Sequence, residues 1–325
     1  MTLRTIIRSC GSYLPARAVT NADLEKIMDT SDEWIVQRTG IRQRHIAAEG
    51  ETTAHMAIEA GRQALDSSGL AAADIDGVII ATSTPDTTFP SVAVKVQQAL
   101  GITKGPAFDV QAVCAGFVYA LTVADSLIRT GTARRILLVG ADKMSSILNW
   151  EDRTTSVLFG DGAGAVILEA SEAGQGTVAD RGIISTHLHA DGNLKDILYV
   201  NGGVSSTGTS GYIMMEGKEV FRHAVAAMSD VVAEVLAHNQ IEADQIDWIV
   251  PHQANIRILE STAKKLGLSM DQVIVTVDRH GNTSAASIPL ALAEAVRSGR
   301  IKQGDLMLIE ALGGGLVWGA ALVRF

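Results

Sequence analysis

The chain repeats itself, and this constrains its fold more than any other feature. A helical pattern over 53–69 leads through Ala72–Asp76 into an apolar strand, Gly77–Ala81. A second helical pattern over 219–239 leads through Ala243–Asp247 into Trp248–Val250. The pairs Ile75-Asp76 and Ile246-Asp247 then align at a spacing of 171 residues. A strand-like run, Asp109–Val113, precedes Cys114, which opens a helix ending near Gly131. At a spacing of 168, the run Val273–Val277 precedes Asn282, which opens a helix ending near Gly299. Arg135–Val139 matches Asp305–Ile309 at a spacing of 170, and each half closes on a Gly-rich hairpin, FGDGAGAVIL and GGGLVWGAAL.

Strands alternating with amphipathic helices predict α/β layering. Runs such as Ile136–Val139 and Met307–Ile309 suit strands buried on both faces. Residues 115–127 carry no charge but Asp125, and a helix apolar all round belongs in a core. The expectation is two related halves, 1–171 and 172–325, packed sheet beside helix beside sheet. The helix starts at Cys114 and Asn282 should face the centre.

At 325 residues and 47% hydrophobic, the chain has enough apolar surface for a large core. Charged residues make up 19% without a long single-sign run, which argues against disorder. A formal charge of -9 and a pI near 5.4 repel nucleic acid and anionic membrane, so neither is an expected partner. Two cysteines, Cys10 and Cys114, are too few for a disulfide framework or a cysteine zinc site. The first residues carry Arg4 and Arg8 without an apolar block, unlike a signal peptide. No apolar run approaches the roughly 20 residues of a membrane span. The expected location is the cytoplasm, where thiols stay reduced.

Cys114 sits where a strand turns into a buried helix. The first N–H groups of a helix are unpaired and partly positive, so they favour a thiolate and can hold an oxyanion. A buried structural cysteine is the competing reading, and it is the one taken for Cys10. His252 follows Pro251 at the end of a predicted strand, and ligand sites of parallel sheets lie at the carboxyl ends of strands. Asn282 could simply cap a helix. If the two halves converge, Cys114, His252 and Asn282 share one pocket despite their separation in sequence.

The segments AVCAGF, PHQAN, GNTS and GGGLVWG, with SDEWIVQRTGIRQRHIA over Ser31–Ala47, resemble the β-ketoacyl-acyl-carrier-protein synthase III family. These are the initiating condensing enzymes of type II fatty-acid synthesis, and the resemblance runs the length of the chain. It implies a duplicated thiolase-like α/β fold of five layers, α-β-α-β-α, and a homodimer. It implies an acyltransferase that condenses an acyl-CoA primer, acetyl-CoA foremost, with malonyl-acyl-carrier protein, releasing CoA and carbon dioxide. By resemblance, Cys114 takes the acyl group, and His252 and Asn282 donate to the thioester oxygen. The N–H groups of Cys114 and Gly314 would form an oxyanion hole. Trp34, Arg38 and Arg153 match CoA-binding positions, and Phe89 matches a residue that closes the partner's acyl pocket. Arg222, Arg257, Lys264 and Lys265 match a basic surface that docks acidic carrier protein. The CoA thioester is a substrate, so no cofactor or metal is expected. Lys218 and Leu312 depart from the family's usual Asn and Phe.

GDGAG at Gly160–Gly164 precedes a strand instead of opening a helix, so it is not read as a phosphate loop. His187, His189 and Asp191 are read as a loop or edge strand instead of a metal site. His280 is a poor base beside Arg279. A thiolase would need a second cysteine near the C-terminus, and elongating synthases carry His where Asn282 stands. Related Cys-His-Asn enzymes of polyketide or alkene pathways, an acyl-CoA hydrolase and an inactive carrier-binding scaffold are the competing readings.

Overall fold

The computed structural model describes residues 3–172 and 174–325. The chain runs β1 (Leu3–Tyr13), α1 (Asp32–Thr39), α2 (Thr53–Ser68), β2 (Gly77–Ala81), α3 (Val92–Ala99), β3 (Ala107–Val110), α4 (Gly116–Arg129), β4 (Arg135–Lys143) and β5 (Asp161–Glu172). It continues through β6 (Gly182–Ala190), α5 (Gly217–Asn239), β7 (Trp248–Pro251), α6 (Ile256–Lys265), α7 (Ser287–Arg297), β8 (Leu306–Gly313) and β9 (Val317–Arg324).

The first sheet has the order β1-β5-β4-β2-β3, with β2 parallel to β3 and β4, and β5 antiparallel to β1 and β4. The second has the order β6-β9-β8-β7, with only β7 and β8 parallel. It repeats the first sheet minus its edge strand. The strand expected over 273–277 is reduced to a single bridge between Ile249 and Val273, and Val277–His280 turns helical. The buried Gln253 carboxamide oxygen accepts the N–H groups of Thr276 (2.8 Å) and Val277 (3.0 Å), which stabilises that turn.

Side-chain alternation along the strands builds the layers. On β4, Ile136 and Leu138 face α4 and α7, while Leu137, Val139 and Ala141 face α2 and α3. On β8, Met307, Ile309 and Ala311 face α4 and α7, while Leu306 and Leu308 face α5 and α6. The result is five layers, α-β-α-β-α, with α4 and α7 at the centre. Each fully buried Leu, Ile or Phe there contributes about 1.5–3 kcal/mol.

One spacing of 171 relates the halves at the centre. It relates the 3-10 turns Val113–Ala115 and Ser284–Ala286, the starts of α4 and α7, and the starts of β4 and β8. Val113 and Ser284 even share left-handed backbone, with φ of 48° and 51°. The counterpart of Cys114 is therefore Ala285, and that of Asn282 is Gln111. This corrects the expected match of Cys114 with Asn282. Helix α7 has 11 residues against 14 in α4, which shifted its end but not its start. The first half also lacks the expected tight hairpin: β4 and β5 pair, but residues 144–160 run between them. The two central turns press closely. A Cβ on Gly140 of β4 would lie 2.2 Å from the Ala285 carbonyl oxygen, so only glycine fits.

Candidate active site

The two turns and the end of β7 open into one cavity of about 1510 Å³. Cys114, His252 and Asn282 all line it, together with Gly314. Their side chains are nearly closed to solvent, with residue exposures of 5%, 2% and 6%.

Cys114 lies in the turn Val113–Ala115, just ahead of α4. Val113 holds φ of +48°, costly for a β-branched residue, and this strained turn presents the next residue to the cavity. Gly313 fits against it: a Cβ there would lie 2.8 Å from the Cys114 nitrogen. Burial pushes the thiol up to about 12, and the Asp142 carboxylate adds to the rise. The resting group is a thiol, contrary to the thiolate expected from a helix start. Desolvation outweighs the helix N-terminus here.

Asn282 does not cap α7. Its backbone bridges Leu158 and Gly160 through bonds of 2.9 and 3.0 Å. Its Oδ1 accepts the Ser284 N–H at 2.9 Å, which leaves the Nδ2 hydrogens for the cavity. His252 follows β7, and its N–H donates to the Glu310 carbonyl at 2.8 Å. Its Nδ1 lies 2.7 Å from Ser287 Oγ, at the start of α7. Burial lowers its pKa to about 3, so the imidazole is neutral at ordinary pH.

Two supporting residues escaped the sequence reading. Asp142, fully buried at the end of β4, accepts from Thr82 Oγ1 (3.1 Å), the Ser83 N–H (2.7 Å), Thr84 Oγ1 (3.0 Å) and the Ala285 N–H (3.1 Å). Burial pushes its pKa up against those bonds. It ties the second turn to the first sheet. The Ser284 hydroxyl stands near both the thiol and this carboxylate but completes a hydrogen bond with neither. Asp142 reads as an ordinary strand-end position that no local motif marks, and Ser284 closes the GNTS segment without a role of its own being read there.

At the cavity mouth, the Arg38 guanidinium lies 4.7 Å from the Trp34 ring centroid, and Arg153 lies 5.2 Å from it. Trp34 and Arg38 line the cavity. Arg153 also bonds Asp29, through its carbonyl and its carboxylate. Lys218, Leu312 and Arg257 line the cavity too. Arg257 lies 5.5 Å from the Phe221 centroid. Arg222 pairs with Glu219, and Lys264 and Lys265 are exposed at the end of α6. Phe89, 83% exposed, does not line its own chain's cavity, although Thr87 and Thr88 do. His187 and His189 both bond Glu234 from the edge strand β6, and no metal-binding group occurs among the described residues. His280 is buried and does not line the cavity. No helix among the described residues is long and apolar enough to cross a membrane.

Comparison with known proteins agrees along the whole chain. Residues 108–192 match the family described as 3-oxoacyl-[acyl-carrier-protein] synthase III, and residues 236–325 match that family's C-terminal part. The chain is 62% identical to a β-ketoacyl-[acyl-carrier-protein] synthase III of Paramagnetospirillum magneticum, over 100% of both chains. It superposes on 3-oxoacyl-[acyl-carrier-protein] synthase III from Aquifex aeolicus with a TM-score of 0.92 at 46% identity, covering 99% of this chain and 100% of that one. A priming β-ketosynthase of a polyketide pathway gives 0.91 at 34% identity, covering 98% of this chain and 96% of that one. A duplicated fold, a buried Cys-His-Asn cavity and full-length similarity agree: the chain belongs to the 3-oxoacyl-[acyl-carrier-protein] synthase III family of thiolase-fold condensing enzymes.

Proposed function

We propose that the chain catalyses the condensation of an acyl-CoA primer with malonyl-acyl-carrier protein, yielding 3-oxoacyl-acyl-carrier protein, CoA and carbon dioxide. The reaction would initiate fatty-acid synthesis in the cytoplasm. The observation that carries this reading is the single buried cavity lined by Cys114, His252, Asn282 and Gly314. Identity of 62% to a β-ketoacyl-[acyl-carrier-protein] synthase III, against 34% to a polyketide priming synthase, supports the fatty-acid role.

Cys114 sulfur attacks the acyl carbonyl, and its proton leaves on the CoA sulfur. The N–H groups of Cys114 and Gly314 hold the developing oxyanion. Malonyl-acyl-carrier protein then enters, and neutral His252 and Asn282 donate to its thioester oxygen as carbon dioxide departs. The enolate carbon attacks the acyl group, and the released sulfur takes up a proton. A thiol pushed to about 12 regains that proton readily. Trp34, Arg38 and Arg153 would hold the CoA nucleotide by stacking and phosphate contacts. Arg222, Arg257, Lys264 and Lys265 would dock the carrier protein. In a homodimer, Phe89 would close the partner's acyl pocket.

The test measures 3-oxoacyl-carrier-protein formation across a panel of acyl-CoA primers. The wild-type chain should form product and Cys114→Ala none. Release of free acid without a malonyl donor would contradict the assignment.

A further inference from the structure

The neutral His252 imidazole can exist in two tautomers, and only one places a proton on Nε2. Its partner at Nδ1 is Ser287 Oγ, at 2.7 Å. Both residues are 2% exposed, and Ser287, unlike His252, does not line the cavity. The same Ser287 oxygen also accepts the Gln253 N–H, at 3.3 Å. The serine hydroxyl has one hydrogen to place, and among the described residues its only acceptor within bonding distance is His252 Nδ1. The alternative, with Nδ1 protonated, would give the oxygen two donors and leave its own hydrogen buried and unpaired, a costly arrangement.

We propose that Ser287 is a positioning residue that donates to His252 Nδ1 and so holds the imidazole as the Nε2–H tautomer. The backbone on both sides of this bond is anchored. The His252 backbone N–H donates to the Glu310 carbonyl at 2.8 Å. Ser287 begins α7, directly after the turn whose Ala285 N–H donates to Asp142 at 3.1 Å. The burial that lowers the His252 pKa to about 3 means tautomer, not charge, decides what the ring offers the cavity. This assignment rests on the proposed role of His252 only for its purpose. A donor at Nε2 stabilises a thioester enolate, whereas a bare Nε2 lone pair would repel it.

The test is long-range ¹H–¹⁵N NMR of histidine-labelled protein, with the His252 signals assigned by their loss in His252→Ala. The wild type should show a pyridine-type Nδ1 and a pyrrole-type Nε2. Ser287→Ala should shift this pattern toward a tautomer mixture, and Ser287→Thr, which keeps the hydroxyl, should restore it. A pyrrole-type Nδ1 in the wild type would overturn the proposal even if no variant folds. So would an unchanged pattern in Ser287→Ala. In parallel, Ser287→Ala should slow malonyl decarboxylation by roughly tenfold or more while acyl loading from acyl-CoA stays within about twofold. An Nε2–H signature lost in Ser287→Ala supports the positioning role whatever the turnover. Unchanged decarboxylation in both Ser287→Ala and His252→Ala would then count against the reading of His252 and not against the tautomer.

Discussion

Cys114 and Glu310 are both buried acids whose pKa values are raised by desolvation, and each makes a prediction about pH. For Cys114 the thiol dominates well past neutrality. Carboxamidomethylation of the free protein should therefore rise about tenfold per pH unit between about pH 7 and 9. A plateau in that range would mean a low-pKa thiolate. Glu310 on β8 has no hydrogen-bond partner for either carboxylate oxygen among the described residues, and burial pushes it up to about 8. The native state keeps a proton that the unfolded chain releases near 4.5. Stability should then fall as pH rises from about 4.5 to about 8, and level off beyond. Glu310→Gln should be more stable than wild type at pH 8, by on the order of a few kcal/mol, with the gain gone near pH 4.5. Thermal melts at both pH values check this, and a pH-independent difference would contradict it. Cys114, His252 and Asn282 were legible because each stands in a motif at an element boundary. Asp142 and Glu310 were not, and Ser284 was quoted within GNTS but given no role, because the significance of all three comes from burial beside groups distant in sequence.

At the scale of elements, the central contact is between the turn Ser284–Ala286 and the first sheet. Gly140 leaves room for the Ala285 carbonyl, and Asp142 accepts the Ala285 N–H. Gly140→Ala should cost about 1–3 kcal/mol through overpacking, read as a lower Tm. An unchanged Tm would show that the turn yields without cost. Most elements could be read from apolar periodicity, as with Gly77–Ala81, which matches its strand to the residue. The start of α7 could not. Asn282 is a good capping residue, but its side chain bonds the Ser284 N–H two residues on, and the helix begins only at Ser287. The missing edge strand over 273–277 was hidden for a similar reason. Its apolar run reads as a strand, while the Gln253 side chain that takes its N–H groups lies 23 residues upstream of Thr276.

Across the whole molecule, a net charge of -9 coexists with Arg257, Lys264 and Lys265 on α6 and with Arg222 on α5, the last paired with Glu219. The docking proposed for these residues would steer an acidic carrier protein by a long-range attraction that salt screens. Lys264→Glu, outside the cavity, should lower kcat/KM for malonyl-carrier protein roughly 3- to 10-fold at low salt and leave acyl loading from acyl-CoA unaffected. Equal losses for both substrates would remove the docking role. The duplication itself was legible from the repeat spacing, and it accounts for why three distant residues converge. The central claim is that they divide the work: Cys114 loads, while His252 and Asn282 drive condensation. Intact-mass measurement of the acyl-enzyme before and after addition of malonyl-carrier protein tests this directly. His252→Ala and Asn282→Ala should load the acyl group yet fail to discharge it, while wild type does both and Cys114→Ala does neither. Discharge at wild-type rates by either variant, or loss of loading in both, would contradict the account.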